Sequence, residues 1–579
     1  MTAPPDSRPQ WPQRLRQTAF TALHHVKKHT GVGIVCAVAY FDPGNWGVDL
    51  QAGSQFGYRL LFVVLLAGLF AVFLQVLASR LGCVTGLDLA SHCRLLLHDR
   101  PRHKMLYRWL ALYPLYALAE IAIISTDLAE LLGSAIALCM IFPKLQLWHG
   151  VLLTAFDVVL ILAFGDPLRG KPVRMFEFLI AGLVFAVLIC MAIIISKVDV
   201  HWAHAFEGYV PSKYIFADGG LYVSVGILGA TVMPHSLFLG SALATQDRVA
   251  FRAAPAPAAS EKLSSSETLS SEDSSSRLTK SFPRHYLRRV WEYVAAWFRM
   301  PPRDKTVSPP KSHAERENNS LPFVKAHLYH GIFDIVSSLL GFAVLINSFI
   351  LILAAAVFFK GHDSASSAPA SLFDAYDLIR DVVGKAAAFM FALALLAAGQ
   401  SSSIIATVAG QAVSEGFLQW RVSPVVRRLL TRLLAVIPSM CVAIAVGRPG
   451  IDALLVISQV ILSIVLPFIT FPLLYLTSSR KIMSVRKPRD EPNAEGSEPA
   501  VSPTQSLIST EDRIPAPTPA LAAENAPEAQ AQLESGHGGD EVVDFSSGKI
   551  ATTIGWLIWL VVMSANMYVI VTLAMGKGG

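Results

Sequence analysis

Two short polar motifs interrupt long apolar stretches of the sequence and carry residues suited to holding a cation. Asp42 and Asn45 lie in AYFDPGNWG, and Met233 and His235 lie in GATVMPHSL. In each motif a proline removes a backbone donor and clashes with the preceding turn, so a helix passing through it should unwind. Unwinding frees carbonyl groups, such as that of Ala230 upstream of the second proline. The two motifs therefore offer a carboxylate, an amide, carbonyls and a thioether.

This mixture of donor atoms indicates a class of metal ion. Carboxylate and amide oxygens alone would suit Mg²⁺ or Ca²⁺. A methionine sulfur is softer and favours Mn²⁺, Fe²⁺, Co²⁺ or Cd²⁺. Methionine is common in the cores of membrane proteins, so Met233 becomes a candidate ligand only because its unwound turn would face Asp42.

A second set of ionisable residues follows one face of a predicted helix in the run EIAIISTDLAE. The three acidic residues on that face are Glu120, Asp127 and Glu130. Carboxylates at membrane depth are neutralised by protons or by cations. His235 could connect them to the metal motif. Alternatively they form salt bridges with another helix, for which Arg428 and Arg432 are candidates; those two could equally be anchors at the membrane surface.

The elements that must position these residues are predicted to be membrane helices. The chain has 579 residues, of which 16% are charged and 53% apolar, with a mean hydropathy of +0.49. A soluble chain carries roughly a quarter charged residues. Uncharged runs such as 60–79 and 340–359 are about 20 residues long, which suffices to span a bilayer. This excludes a soluble enzyme, a disulfide-stapled secreted domain and a nucleic-acid binder.

Eleven membrane spans are predicted, and they are helical because backbone groups in lipid must pair within the segment. They lie near 31–56, 59–79, 109–141, 148–164, 175–196, 218–245, 326–359, 385–414, 429–446, 451–477 and 550–575. The predicted organisation is a cytoplasmic tail over 1–30, helices 1–6 over 31–245, a disordered basic, Ser-rich cytoplasmic loop over 246–325, helices 7–10 over 326–478, a disordered cytoplasmic loop over 479–549, and helix 11 with a short extracytoplasmic tail over 550–579.

Lysine and arginine are concentrated in every second connection, which predicts a cytoplasmic N-terminus and an extracytoplasmic C-terminus. Within the loops 246–325 and 479–549, residues 255–282 are rich in Ser and residues 484–547 in Pro, Ala, Glu and Ser, so we expect that neither stretch can bury enough apolar area to offset the entropy of ordering. We expect them to be linkers that kinases or trafficking factors could recognise. The plasma membrane and an endosomal or vacuolar membrane remain alternative locations.

Broken helices at the first and sixth of ten spans are typical of an inverted five-plus-five repeat with an ion or substrate site at the bilayer midplane. The sequence thus predicts an all-α membrane transporter. A symporter of a small organic substrate such as an amino acid is the alternative, although Asp42 would repel a substrate carboxylate. A membrane enzyme is disfavoured because no nucleophile–base pair or His-rich cluster lies within a span, and a sensor would carry its informative sequence in the loops.

The motifs quoted above resemble those of the natural resistance-associated macrophage protein (Nramp) family of proton-coupled divalent metal transporters. AYFDPGNWGVDLQAGSQFGY resembles its first-helix signature and GATVMPHS its sixth, and the similarity covers roughly 20–245 and 325–478. The long loops resemble those of eukaryotic, fungal-like members. The resemblance implies a LeuT-like fold with an eleventh helix, no cofactor, and Mn²⁺ or Fe²⁺ as the cargo carried with protons.

Residue roles follow from the resemblance position by position. The implied metal ligands are Asp42, Asn45, the Ala230 carbonyl, Met233 and, in an occluded state, Gln459. The implied proton pathway consists of His235, Glu120, Asp127, Glu130, Arg432 and Arg428. One departure is Gly240, where many members have a second histidine five residues after His235, so the proton route should depend more on the third helix.

Overall fold

The computed structural model describes residues 32–154, 174–217, 219–247, 312–359, 370–420, 423–487 and 542–575. Within these ranges eight helical stretches are long and apolar enough to cross a bilayer. They are Pro43–Thr85, Lys104–Ile141, Phe178–Ile195, Gly220–Leu243, Leu321–Phe358, Lys385–Leu418, Arg448–Ser478 and Lys549–Ala574. The protein is therefore an integral, multi-pass membrane protein. The predicted tail over 1–30 and much of the predicted fourth span lie outside the described residues.

In the described residues of the first half of the chain there are nine helices of seven or more residues. They are α1 (Val32–Val38), α2 (Pro43–Phe56), α3 (Leu61–Thr85), α4 (Leu89–Leu97), α5 (Tyr113–Ile141), α6 (Leu147–Thr154), α7 (Arg174–Ile195), α8 (Gly220–Thr231) and α9 (Pro234–Leu243). The predicted breaks in helices 1 and 6 are confirmed as the α1–α2 and α8–α9 junctions. Each proline is the first residue of a new helix, where its missing N–H has no helical partner to lose.

The part of the second half that the structure describes contains seven further helices of this length. They are α10 (Leu321–Ser338), α11 (Leu345–Phe358), α12 (Leu372–Val382), α13 (Lys385–Leu418), α14 (Pro424–Ala445), α15 (Arg448–Ser478) and α16 (Lys549–Ala574). A π-helical turn over Leu339–Val344 joins α10 to α11. Short helical turns complete the described part: Gly57–Leu60, Lys104–Tyr107, Arg108–Leu112, Trp202–Glu207, Lys213–Phe216, His313–Glu315 and Arg480–Met483.

The ends of the two long loops differ from the prediction of disorder. Helix 7 begins at Leu321, five residues before the predicted boundary, and the strands β1 (Ser484–Arg486) and β2 (Val542–Asp544) pair antiparallel. Asn318 joins the two loop ends by donating to the carbonyls of Ile482 and Ser484, both at 2.7 Å. Sequence composition failed here because these short stretches are stabilised by distant partners rather than by their own apolar content.

The broken helix α1–α2 lies at the centre of the packing. Helix α2 packs against α8, α11 and α15, while α5 packs against α13, α14 and α15. Trp46 is fully buried, and its ring meets Phe391 edge-on with centroids 5.3 Å apart. Gly133 on α5 lies directly against the ring of Pro43, so the third helix supports the first break through a close contact that leaves no room for a larger side chain.

We expect Gly133→Ala to destabilise the protein by about 1–3 kcal/mol, because the added methyl group collides with Pro43. The thermal midpoint of the purified protein measures this effect. Gly182→Ala on α7 is the matched control, since a Cβ there has no neighbour within 4 Å. Equal midpoints for the two variants would contradict the proposed support of the break by α5.

Candidate metal site

Asp42 is both the last residue before α2 and the carboxylate of the first break. Its Oδ1 accepts hydrogen bonds from the backbone N–H and the side-chain Nδ2 of Asn45, each at 2.9 Å. A short acidic side chain at this capping position satisfies a backbone donor that the helix cannot. Asp42 is fully buried, and its Oδ2 has no hydrogen-bond partner. One carboxylate oxygen thus holds the turn while the other remains available to a ligand.

The second break reaches the first through the amide of Asn45. Its Nδ2 also donates to the carbonyl oxygen of Ala230, at 3.0 Å. One nitrogen therefore lies between the Asp42 carboxylate and a helix carbonyl, which places these two acceptors within about 6 Å of each other. If the amide rotated and a cation took the place of the nitrogen, both oxygens and Asn45 Oδ1 could coordinate it.

Met233 and Gln459 lie next to this pair of breaks. Met233 is the capping residue of α9 and is fully buried, and its carbonyl accepts from Ser236 Oγ at 2.7 Å. Ser236 Oγ is also 2.7 Å from the Tyr40 hydroxyl, so the two breaks are joined a second time. Gln459, on α15, is fully buried against Gly44, and its Oε1 has no hydrogen-bond partner. The structure therefore brings all five predicted metal ligands to one region.

Two polar residues that the sequence analysis did not identify support Asn45. Asn347 on α11 donates from Nδ2 to the Tyr40 carbonyl at 2.8 Å and to Asn45 Oδ1 at 3.3 Å. Thr231 Oγ1 donates to the same Oδ1 at 3.5 Å. An asparagine inside the uncharged run 340–359 was the available signal for Asn347, but nothing local connects it to a residue some 300 positions away.

The acidic residues of α5 are paired with groups on neighbouring helices. Asp127 Oδ1 accepts from Arg432 Nη1 at 3.0 Å, and both side chains are buried. Arg432 Nη2 donates to Ser403 Oγ at 2.9 Å. Glu130 Oε1 accepts from Ser402 Oγ at 2.7 Å. The predicted face of α5 is therefore directed towards α13 and α14.

Glu120, the remaining acidic residue, is paired with an arginine that was not predicted. Arg427 Nη2 donates to both oxygens of Glu120, at 2.7 and 2.8 Å. The sequence analysis considered Arg428 for this position, and the side chain of Arg428 lies outside the described part of the chain. Successive side chains of a helix point about 100° apart. Which of two adjacent arginines can pair with Glu120 therefore depends on how α14 is rotated against α5.

His235 connects the second break to α5. Its Nδ1 lies 3.2 Å from Thr126 Oγ1, and Thr126 is next to Asp127 in the sequence. The ring is buried, and Nε2 has no hydrogen-bond partner. The imidazole thus contacts the acidic helix with one nitrogen, as the sequence analysis expected of a connecting residue.

The space beside Gly240, where a larger residue would place its side chain, is filled by Gln75. The amide of Gln75 from α3 lies against the Cα of Gly240. This amide accepts from the Tyr40 hydroxyl at 2.9 Å and donates to Cys36 Sγ at 3.3 Å. In this chain the absence of a histidine at position 240 therefore leaves room for a glutamine that holds the end of α1.

The side chains and the carbonyl gathered in this region provide atoms that can coordinate a cation. Asp42, Asn45, Gln459 and the carbonyl of Ala230 supply oxygen atoms, and Met233 supplies one sulfur. Among the described residues no group of three or more histidine, cysteine, aspartate or glutamate side chains is arranged to hold a metal. A cation bound here would be coordinated by one negatively charged ligand, the Asp42 carboxylate, and by several neutral donors. This arrangement suits reversible binding more than a permanent structural site.

Comparison with known proteins places these features in a family. A family model described as natural resistance-associated macrophage protein-like matches residues 33–277 and 309–490. Manganese transporter pdt1 of Schizosaccharomyces pombe is 38% identical, over 95% of this chain and 86% of its own length. Iron transporter SMF3 of Saccharomyces cerevisiae is 36% identical, over 96% of this chain and 98% of its own. The crystal structure of the Eremococcus coleocola manganese transporter with an aromatic bis-isothiourea substituted compound is 25% identical, with a TM-score of 0.62 over 98% of this chain and 88% of the other.

We expect Arg432→Gln to lower the free energy of unfolding by about 3–5 kcal/mol, because the variant leaves Asp127 buried without its cation. The double variant Asp127→Asn/Arg432→Gln removes both charges and should be more stable than the sum of the two single changes implies. Thermal or denaturant unfolding of purified protein measures both.

Arg380→Gln is the control, because Arg380 forms a largely exposed ion pair with Asp377 and should change stability by about 1 kcal/mol or less. Additive effects of the Asp127 and Arg432 changes would show that the two side chains do not depend on each other.

Proposed function

The chain belongs to the Nramp family, whose members are membrane transporters and not enzymes, and from this we propose that it carries Mn²⁺ and Fe²⁺ into the cytoplasm by proton symport. Co²⁺ and Cd²⁺ are further candidate ions. The observation that carries the proposal is the Asn45 amide, which lies between Asp42 and the Ala230 carbonyl where two broken helices meet. The relatives named above as manganese and iron transporters support the choice of ions.

The proposed ligands are Asp42, Asn45, the Ala230 carbonyl, Met233 and Gln459. Asp42 Oδ2 and Gln459 Oε1 are buried acceptors without a hydrogen-bond partner, and buried acceptors of that kind are costly unless something binds them. A dication satisfies both oxygens at once. The Met233 sulfur then disfavours Ca²⁺ and Mg²⁺, which prefer oxygen ligands.

Binding requires the Asn45 amide to turn over, because its nitrogen now faces the two oxygens that would bind the metal. The turn would place Nδ2 where Oδ1 now lies, opposite Thr231 Oγ1 and Asn347 Nδ2. The Thr231 hydroxyl can accept as well as donate, so it would accept from the turned amide, while Asn347 Nδ2 keeps its bond to the Tyr40 carbonyl. The role of Thr231 in the proposal is to stabilise the metal-bound orientation of Asn45.

A small organic substrate fits the same region less well. A transported amino acid would bring a carboxylate to the break, where the ionised Asp42 repels it and no described cationic side chain forms an ion pair with Asp42. A divalent cation gains from the same charge. We therefore retain the metal and not the amino acid as the cargo.

The proposed proton route leaves Asp42 through His235 and continues along α5. Arrival of a dication favours the ionised form of Asp42, so a proton moves from it towards Asp127. The contact of His235 with Thr126, beside Asp127, supports this connection. Glu130, Glu120, Arg432 and Arg428 are the further members of the route in this proposal, and Arg427 joins them because it pairs with Glu120.

The proposed direction of transport, into the cytoplasm, is argued from the distribution of basic residues and from the membrane potential. The distribution of lysine and arginine favours a cytoplasmic N-terminus and an extracytoplasmic C-terminus. Each positive charge that moves towards a negative cytoplasm gains about 2.3 kcal/mol per 100 mV. The proposed location is the plasma membrane or an endosomal or vacuolar membrane, with kinases or trafficking factors as candidate partners of the segments 246–325 and 479–549.

Asp42→Ala should abolish Mn²⁺ uptake by proteoliposomes, because it removes the only formal charge of the proposed site. Met233→Ala should keep Mn²⁺ transport while Ca²⁺ and Mg²⁺ become better competitors, since the sulfur that disfavours them is lost. Initial rates with each competing ion measure both effects. Wild-type rates in Asp42→Ala, or an unchanged ion preference in Met233→Ala, would exclude the respective residue from the site.

Asp127→Asn should reduce proton movement more than Mn²⁺ movement, because an amide cannot accept the proton released near Asp42. A pH-sensitive dye and a Mn²⁺-sensitive dye inside the same liposomes give the ratio of the two fluxes. Asp377→Asn, an exposed acidic residue, is the control and should keep the wild-type ratio. An unchanged ratio in Asp127→Asn would remove that residue from the proton route.

A further inference from the structure

A second buried carboxylate, Asp49, lies on α2 beyond the site described above. It is 1% exposed, and its Oδ2 has no hydrogen-bond partner. No ion pair joins it to any residue in the described part of the chain. A carboxylate at membrane depth without a partner is costly, and such residues commonly mark an ion pathway. Neither the capping of α2 nor the contacts of the first break require this side chain.

Helix geometry places Asp49 above Asn45 on the same face of α2. Asp49 follows Asn45 by one turn and Asp42 by two turns, which corresponds to a rise of about 10 Å from Asp42. On either side of this face, Val48 lies next to Gly226 of α8, and Gly53 packs on the backbone of Leu351 in α11. Asp49 therefore lies along the seam between α8 and α11, the two helices that also contact Asn45.

A second unpartnered oxygen belongs to Asn347 of α11, one of the two helices that border this seam. Asn347 donates from Nδ2 to Asn45 Oδ1, one turn below Asp49, while its own Oδ1 is buried without a hydrogen-bond partner. Asp49 and Asn347 do not hydrogen-bond to each other, although both present acceptor oxygens. Two acceptor oxygens cannot satisfy each other, because neither has a proton to donate. A cation shared between the two neighbouring helices could satisfy both.

We propose that Asp49, together with Asn347 Oδ1, is an outer binding site that takes up the divalent cation before it passes to Asp42. This inference rests on the proposed function and on the proposed cytoplasmic N-terminus, which directs the C-terminal end of α2 to the outer side. An ion that arrives from outside then meets Asp49 first. Asn347 would connect the outer site to the inner one, because its Nδ2 donates to Asn45 Oδ1.

The donor set of the outer site differs from that of the inner one. Asp49 and Asn347 supply oxygen atoms, and no sulfur ligand is part of the site. An all-oxygen site accepts Ca²⁺ as well as Mn²⁺. Selection against Ca²⁺ therefore takes place at Met233 after uptake into the outer site, and Ca²⁺ competes with Mn²⁺ for Asp49 without being carried further.

The first test is transport by proteoliposomes that contain the full chain with Asp49→Asn, which keeps the shape of the side chain and removes its charge. The Michaelis constant for Mn²⁺ should rise about tenfold, corresponding to about 1.4 kcal/mol of lost binding, with little change in the maximal rate. The Ca²⁺ concentration that halves Mn²⁺ uptake should rise as well. Asp377→Asn is the matched control for the loss of an exposed carboxylate on the proposed outer side. An unchanged Michaelis constant in Asp49→Asn would overturn the proposal.

The second test measures binding without transport. The electron paramagnetic resonance signal of free Mn²⁺ is recorded with purified Asp42→Ala protein, in which the inner site is removed, and with Asp42→Ala/Asp49→Asn. Weak Mn²⁺ binding should persist in the single variant and disappear in the double variant. Equal binding by the two would overturn the outer site, whereas wild-type transport by Asp42→Ala would overturn the proposed function itself. Asp49→Ser provides a second substitution for both tests if the asparagine variant does not purify as a folded protein.

Discussion

A helix that is broken inside a bilayer leaves carbonyl groups that water cannot reach, and the need to satisfy them organises this protein. At the first break the Tyr40 carbonyl accepts from Asn347, and the Phe41 carbonyl accepts from Trp46 Nε1 at 3.2 Å. At the second break the Ala230 carbonyl accepts from Asn45. These donors come from other turns and other helices, and the bond from Asn45 to Ala230 joins the two breaks directly. A cation that replaced the Asn45 nitrogen would take over this connection.

The charged residues divide into two groups with different surroundings. On α5, Asp127 and Glu120 are each paired with an arginine of α14, so their charges are balanced within the protein. On the first broken helix, Asp42 and Asp49 each have a buried oxygen without a hydrogen-bond partner. A buried ion pair contributes little net stability, but removing one of its partners strongly destabilises the protein. The paired carboxylates can therefore take a proton only when their arginine contacts loosen, whereas the unpartnered oxygens of Asp42 and Asp49 are available to a cation as they stand.

The sequence predicted the breaks because their signal is local. Asp42 and Met233 each stand directly before a proline that is the first residue of a new helix, a position that favours proline. Asp42, Asn45, Met233 and the Ala230 carbonyl followed from the same motifs. The acidic face of α5 followed from the spacing of its carboxylates, and Gln459 from the resemblance to the Nramp family. What could not be predicted depends on docking. Arg427 faces Glu120 because of the rotation of α14, and Asn347 joins the site through contacts with residues some 300 positions earlier.

The strand pair β1–β2 has a practical consequence for handling this protein. Arg486 lies opposite Val542 in this strand pair, so the two ends of the intervening segment are held next to each other whatever its length. The entropy of closing a loop grows only with the logarithm of its length, by about 0.6 kcal/mol for each doubling. A fluorescent domain spliced into the intervening stretch should accordingly be tolerated, and would make the transporter visible in living cells with its ion path untouched.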